Sequence, residues 1–439
     1  MGLILLFVLS FCASAVFAND DKIVVCYYGT WATYRTGLGK FDVDDIDPFL
    51  CTHLVYAFIG INAEGTALAL DPELDVERGN FKNFTSLKEK NPNLKTLVAV
   101  GGWSEGSANY SIMAAEPEYR QNFINTSLAM ILEYNFDGLD VDWEYPNRRD
   151  TVHGEDDIEN FSTLLKELRE EFDNYGLLLT VAVSAVEEAA VQSYDVPSVA
   201  KYVDYIGVMT YDMHGAWDSV TGHNAPLFIS EGESAENEST LYNVNNAVQY
   251  WLSAGCPPEK LVMGVPFYGR TFNLSDPSVN APNSPSNGAG LAGPYTAESG
   301  YVGYNEFCYI LQNESSWTVQ TDNLAKVPYA FLDYNWVSFD NVESMTAKVE
   351  YANSFNLRGI MLWSIETDDF HGLCGEGTFP LLNTINTVLA EGSTGTTSEQ
   401  DTTTVSSTDV TEDSDGSNSS FTTTPTPAVF LLLIYFILL

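Results

Sequence analysis

Short apolar runs recur along the chain at 23–28, 53–59, 96–100, 138–144, 178–183, 205–209, 261–266 and 359–363. Between them lie longer stretches, among them 118–134, 157–172, 242–254 and 342–355, whose apolar positions repeat at helical spacing. Eight runs alternating with amphipathic helices predict an α/β chain closed into a parallel (β/α)8 TIM barrel rather than an open doubly wound sheet. No Gly-rich phosphate fingerprint follows any run, which argues against a dinucleotide fold. Gly101-Gly102 reads only as a turn where backbones approach closely. The rhythm breaks between 269 and 337. A bare loop of that length is improbable in a compact domain. We therefore read a small α+β insertion between the seventh strand and its following helix, on the rim where active sites of such barrels lie.

Both ends depart from this pattern. Residues 1–18 form an apolar run ending in small residues, with Val16 and Ala18 at the −3 and −1 positions, and read as a secretory signal although its start carries no Lys or Arg. The barrel is assigned to 19–390. Residues 391–427 are rich in Ser, Thr and acids, hold no Lys or Arg, and cannot build a core; they read as a flexible, O-glycosylated stalk. The apolar segment 428–439 would reach about 18 Å as a helix, against a hydrocarbon core of about 30 Å. Small residues at Gly416, Ser417, Asn418 and Ser419, then a polar spacer and the apolar tail, fit a GPI-attachment signal. The alternatives are a short direct anchor or a disordered apolar end. The expectation is a protein of the secretory pathway, extracellular and attached to the cell surface, touching membrane only through that tail.

Charge narrows the partners. With 19 basic and 60 acidic residues the 439-residue chain carries −41, which repels nucleic acid and anionic membranes but accepts an uncharged or cationic substrate. Eight N-x-S/T sequons, at Asn83, Asn109, Asn125, Asn160, Asn237, Asn273, Asn313 and Asn418, suit the secretory route. Cys12 leaves with the signal, so the five remaining cysteines imply at least one free thiol or an intermolecular bond.

The fourth run carries the chemistry. Asp140, Asp142 and Glu144 are spaced two apart, the period of a strand, so they share one face while Leu139, Val141 and Trp143 share the other. Successive carboxylates about 7 Å apart repel each other and raise each other's pKa. Folds tolerate that mainly where chemistry needs it. A solvated edge strand is the bland alternative, and the apolar opposite face speaks against it.

The stretch Asp137-Gly138-Leu139-Asp140-Val141-Asp142-Trp143-Glu144 closely resembles the fourth-strand motif of the family 18 glycoside hydrolases, in particular animal chitinases with a barrel insertion. Lys95 to Trp103, Met209-Thr210-Tyr211-Asp212, Gly269-Arg270 and Gly359 to Trp363 match further family motifs in order, and the resemblance runs from about Asp21 to Ala390. That resemblance implies hydrolysis of chitin and chito-oligosaccharides. The family lies outside the usual two-carboxylate schemes, since the substrate's own acetamido group acts as nucleophile. On that pattern Glu144 protonates the glycosidic oxygen, Asp142 orients the acetamido N–H, Tyr211 bonds the same group, and Asp140 shares a proton with Asp142. Asp137 supports the strand.

The resemblance places Trp363 as the floor beneath the reacting sugar, with Met209, Thr210, Asp212 and Arg270 lining subsites. Tyr27, Trp31, Phe58, Trp103, Tyr145 and Trp217 lie at or just past strand ends and offer flat faces to pyranose rings, though core packing is the alternative for each. Gly101 and Gly102 complete the expected lining. Cys26 in the first strand and Cys51 before the second make a reasonable disulfide across adjacent strands. Cys308 and Cys374 would tie the insertion to the barrel, leaving Cys256 free and buried.

Ala99 stands where many relatives carry Ser, and Glu366 where Asp is frequent. The rival readings are a non-hydrolytic chitin-binding lectin and a surface adhesion protein on the same barrel. Family members that lost hydrolysis generally lack the acid found here at Glu144. A monomer without metal or organic cofactor is expected, because the five His are scattered without ligand spacing.

Overall fold

The computed structural model describes residues 22–231, 233 and 242–394. The segment expected to be a signal, most of the expected stalk, the apolar tail and the sequons at Asn237 and Asn418 lie outside the described residues. In chain order the strands are β1 (Ile23–Gly29), β2 (His53–Ile61), β3 (Ala67–Ala69), β4 (Lys95–Gly101), β5 (Gly138–Asp142), β6 (Leu178–Ser184), β7 (Tyr205–Met209) and β8 (Leu261–Pro266). They continue as β9 (Tyr268–Leu274), β10 (Ser286–Ala289), β11 (Tyr301–Gly303), β12 (Thr318–Asp322), β13 (Val327–Leu332), β14 (Asn335–Ser338) and β15 (Gly359–Trp363). Eight of them run parallel in the order β1-β15-β8-β7-β6-β5-β4-β2, and pairing of β1 with β2 closes the ring. The fold is a (β/α)8 barrel.

Each barrel strand is buried on both faces, which is why its apolar run is nearly continuous. Outward residues such as Val24, Leu54, Val98, Leu139, Val141, Trp143 and Val181 join the layer packed under the helices. The helix Asp156–Phe172 meets that layer with Phe161, Leu164, Leu165, Leu168 and Phe172, one stripe at helical spacing. Inward residues Val25, Tyr27, Val55, Ala57, Leu97, Ala99, Val262 and Met361 fill the barrel. On β5 the inward set is acidic instead. That is what made the two-residue period visible there and nowhere else.

β5 ends at Asp142, two residues before the expected limit. β4 pairs it as far as Gly101 opposite Asp142, and there the β4 chain turns away through Gly101 (φ 117°) and Gly102 (φ 83°). Residues 143 and 144 therefore have no ladder partner. The short β3, antiparallel to β2, has no counterpart in the sequence reading.

Between β8 and the helix Val342–Ser354, strands β9 to β14 build a second, antiparallel sheet in the order β10-β9-β14-β13-β12, with β11 on β9. The helix Tyr304–Asn313 packs Phe307 against Val302, Val337 and Phe339 of this unit. The insertion spans 268–338, beginning one residue earlier than expected. A disulfide links Cys308 in that helix to Cys374 beyond β15, and another links Cys26 to Cys51. Cys256 is free and buried, its thiol pushed up to about 12 by burial. Among the described residues no helix is long and apolar enough to cross a membrane.

Candidate active site

Asp140, Asp142 and Glu144 rise in sequence toward the C-terminal mouth of the barrel. Asp140 is fully buried, its Oδ2 accepting from the Tyr27 hydroxyl at 2.7 Å and its Oδ1 from Thr180 at 2.5 Å. Burial lifts its carboxyl to about 6, with those two hydrogen bonds pulling the other way. Asp142 is nearly as deep, and its Oδ1 has no hydrogen-bond partner among the described residues. Burial first, then the negative charges of Glu144 and Asp140, hold Asp142 well above the ordinary carboxylate range. Glu144 is lifted to about 7 by burial, assisted by the charge of Asp212 and opposed by a hydrogen bond from Tyr145 and by Arg149. Three carboxyls in one apolar shaft cannot all ionise cheaply. The arrangement therefore keeps protons available at neutral pH at its upper end.

Backbone contacts fix this ladder. The Gly102 N–H donates to the Asp142 carbonyl at 2.9 Å, and a Cβ on Gly101 would lie 2.0 Å from that same oxygen. Only glycine permits the approach. At the opposite end of β5, Asp137 accepts from the Thr96 N–H and from Lys88 Nζ, each at 2.8 Å, clamping β5 to β4. The peptide bonds Ala57–Phe58, Glu144–Tyr145 and Trp363–Ser364 are cis.

Trp363 lies across the barrel from the ladder, stacked on Phe58 at 5.6 Å and beside Trp31 at 6.0 Å. Tyr27 lies beneath it at 5.6 Å. The Tyr27 hydroxyl is donated to Asp140 and the ring is buried, so this residue supports the acid ladder. Thr210 is likewise turned inward, buried, its hydroxyl donated to the Gly264 carbonyl. In both cases the hydroxyl found a buried acceptor first.

The remaining expected residues surround the mouth. Tyr211 is buried beside the ladder, its ring 6.0 Å from Tyr268, and its hydroxyl is held up by burial and then by Asp142, Asp212 and Glu144. Met209 closes β7 half-buried. Asp212 Oδ1 accepts from Tyr268 at 2.8 Å and from Arg270 Nε and Nη2 at 2.8 and 2.6 Å. The Arg270 guanidinium lies 5.1 Å from Trp217 and 5.7 Å from Tyr301. Trp103 and Trp217 are each 61 % exposed, and Arg149 covers the Trp103 ring at 3.7 Å. Both offer apolar faces at the rim.

Several site residues escaped the sequence. Thr180 is one; its register opposite Asp140 on β6 was the available signal. Tyr268 and Tyr301, stacked at 4.7 Å, and Arg149 and Asn224 carried none. Glu366 turns out to be buried, accepting from the Gly29 N–H at 3.1 Å and from Ser364 at 2.7 Å. Among the described residues the one grouping with metal-ligand spacing is Cys308, Asp369 and Cys374, and its two thiols form the disulfide.

A closed parallel barrel with stacked carboxyls at its C-terminal mouth and exposed indoles around them defines an enzyme of acid–base chemistry on a ring-bearing substrate. The sequence matches the family model for glycosyl hydrolases family 18 over residues 23–368, and the chain belongs to that family. It is 42 % identical over 428 residues to the probable chitinase 2 of Drosophila melanogaster, covering 88 % of this chain and 86 % of that one. The crystal structure of Ostrinia furnacalis Group IV chitinase in complex with allosamidin is 98 % identical, with a TM-score of 0.84, covering 85 % of this chain and all of that one. Human YKL-39, a pseudo-chitinase with retained chitooligosaccharide binding, is 37 % identical with a TM-score of 0.78, over 84 % of this chain and all of that one.

Proposed function

We propose that this protein hydrolyses β-1,4-linked N-acetylglucosamine polymers, chitin and chito-oligosaccharides, by a retaining, substrate-assisted route. The single observation that carries this is the pair Asp142 and Glu144, stacked in one buried shaft with Glu144 lifted to about 7. A carboxyl with that pKa keeps its proton at neutral pH and can deliver it to a leaving-group oxygen. In this family the nucleophile is not a protein carboxylate. The substrate's acetamido carbonyl fills that role, with Asp142 and Tyr211 holding the group and the charge of Asp140 helping to keep a proton on Asp142. Trp363, Trp31 and Phe58 offer the apolar floor, and Trp103, Tyr145, Met209, Asp212 and Arg270 line the flanks.

The test is Glu144→Gln, which should abolish cleavage of a soluble chito-oligosaccharide and leave its binding nearly intact. Retained cleavage within about tenfold of wild type, a barrier change of only about 1.4 kcal/mol, would show that another group donates the proton. Two further outcomes follow from substrate assistance. Fully deacetylated chitosan should resist cleavage, and early-time NMR should detect the β-anomer first; an α-anomer would sink the retaining route.

A second reading, a lectin like the pseudo-chitinase YKL-39, is favoured by the shared fold and disfavoured by the intact acid ladder. Release of reducing sugar separates the two. From residues 1–18 and 391–439 we also infer export and lipid attachment of a monomer near Ser417. Phosphatidylinositol-specific phospholipase C should then release the protein from intact cells. The tail peptide found in the mature chain would replace lipid with a direct anchor.

A further inference from the structure

In the loop between β7 and the helix Val244–Ser253, the backbone N–H and carbonyl of Asn224 and both polar atoms of its side chain are hydrogen-bonded to protein. Asn224 is 1 % exposed. Its backbone N–H donates to Ser338 Oγ at 2.8 Å, and its carbonyl accepts from the Met213 N–H at 2.9 Å. Its side-chain Oδ1 accepts from the Asp212 N–H at 2.9 Å, while Nδ2 donates to the Tyr268 carbonyl at 3.0 Å. One residue thus joins the loop after β7 to β9 and β14 of the insertion. The preceding residue, His223, anchors the same loop to Asp322 at 3.1 Å at the end of β12.

Asp212 sits at φ 58°, the left-handed region that L residues adopt only with support. Its N–H is bonded by Asn224, and its carboxylate is bonded by Tyr268 and Arg270. An amide fits position 224 because it accepts from one backbone and donates to another at the same time. A carboxylate would set an acceptor against the Tyr268 carbonyl, and an alkyl side chain would take the partner from the Asp212 N–H and from the buried Tyr268 carbonyl.

We propose that Asn224 is a positioning residue for the reaction: it holds the Asp212 backbone against the insertion and so fixes where the Asp212 charge stands relative to Glu144. This rests on the reading of Glu144 as proton donor. Glu144 is faced by Asp142 and Tyr145 from its own segment, by Arg149 beyond it, by Tyr194 after β6, and by Tyr211 and Asp212 after β7. Of these, Asp212 is the negative charge whose place depends on Asn224. If it drifts away, Glu144 gives up its proton at lower pH, and the alkaline limb of the rate profile follows.

The experiment measures kcat against pH on an N-acetylated chito-oligosaccharide for wild type, Asn224→Ala, Asp212→Asn and the double variant, with thermal melts of each. Asn224→Ala should lose about tenfold or more in kcat at its optimum. Its alkaline limb should move to lower pH by the same amount as in Asp212→Asn, and the double variant should move no further. A purely structural role would lower the melting temperature and leave the limb in place. That result overturns the proposal, as does a double variant in which the two shifts add. If Asn224→Ala does not fold, Asn224→Ser, too short to span both backbones, carries the same expectation. Glu144→Gln runs alongside. If it is active, the donor reading fails and this proposal with it; if it is inactive and the limb is unmoved, this proposal alone fails.

Discussion

Asp142 is a carboxylic acid that folding places where ionisation is penalised. Burial and two neighbouring acids raise its pKa in the folded chain, so the folded state binds its proton more tightly than the unfolded state does. Stability is then fully present below the unfolded value of about 4 and is lost as pH rises toward the folded value. Asp142→Asn removes that penalty. It should melt higher than wild type at pH 8, with the gap closing as pH falls to about 4, while losing most hydrolytic activity. Calorimetry across that range checks it, and a constant gap would mean Asp142 does not titrate as argued. At this scale the sequence was most informative about the ladder itself, because two-residue spacing fixes the face of each acid whatever surrounds it. It was least informative about hydroxyls. The hydroxyls of Tyr27 and Thr210 are each bonded to a buried acceptor supplied by a residue distant in sequence.

At the scale of elements, the close crossing of β4 and β5 decides how the ladder is presented. Gly101 combines a left-handed φ with a backbone oxygen 2.0 Å from where a Cβ would be. Gly101→Ala should therefore cost about 2–5 kcal/mol, from strain and overpacking together, and greatly reduce activity even where the protein still folds. Chemical denaturation alongside kinetics measures both; a loss under about 1 kcal/mol would mean the crossing can relax. The strands and the main helices were legible because burial on both strand faces and on one helix stripe writes directly into residue order. The early end of β5 was not. It depends on where a different strand turns away.

At the scale of the whole molecule, the helix Pro380–Thr394 seals the barrel's outer layer with Leu381, Leu382, Ile385, Val388 and Leu389 buried. The helix runs on to Thr394, while the last of these buried side chains, Leu389, falls inside the boundary at 390 read from composition. A chain ending at Thr394 should retain the melting temperature and activity of the full protein. One ending before Pro380 should not fold, since each buried Leu or Ile contributes about 1.5–3 kcal/mol against a total stability of about 5–15 kcal/mol. Circular dichroism and activity on the two chains decide it. The sequence by itself determined the barrel, the order of its strands, the inward face of the three acids and the presence of an inserted unit. These follow from periodicity, and periodicity is a local property that survives without knowledge of partners. Only the tertiary structure decided which hydroxyls are occupied, how Asn224 braces Asp212, and how far each carboxyl is lifted. Those are set by burial and by contacts between segments far apart in the chain, and no pattern within a segment encodes them.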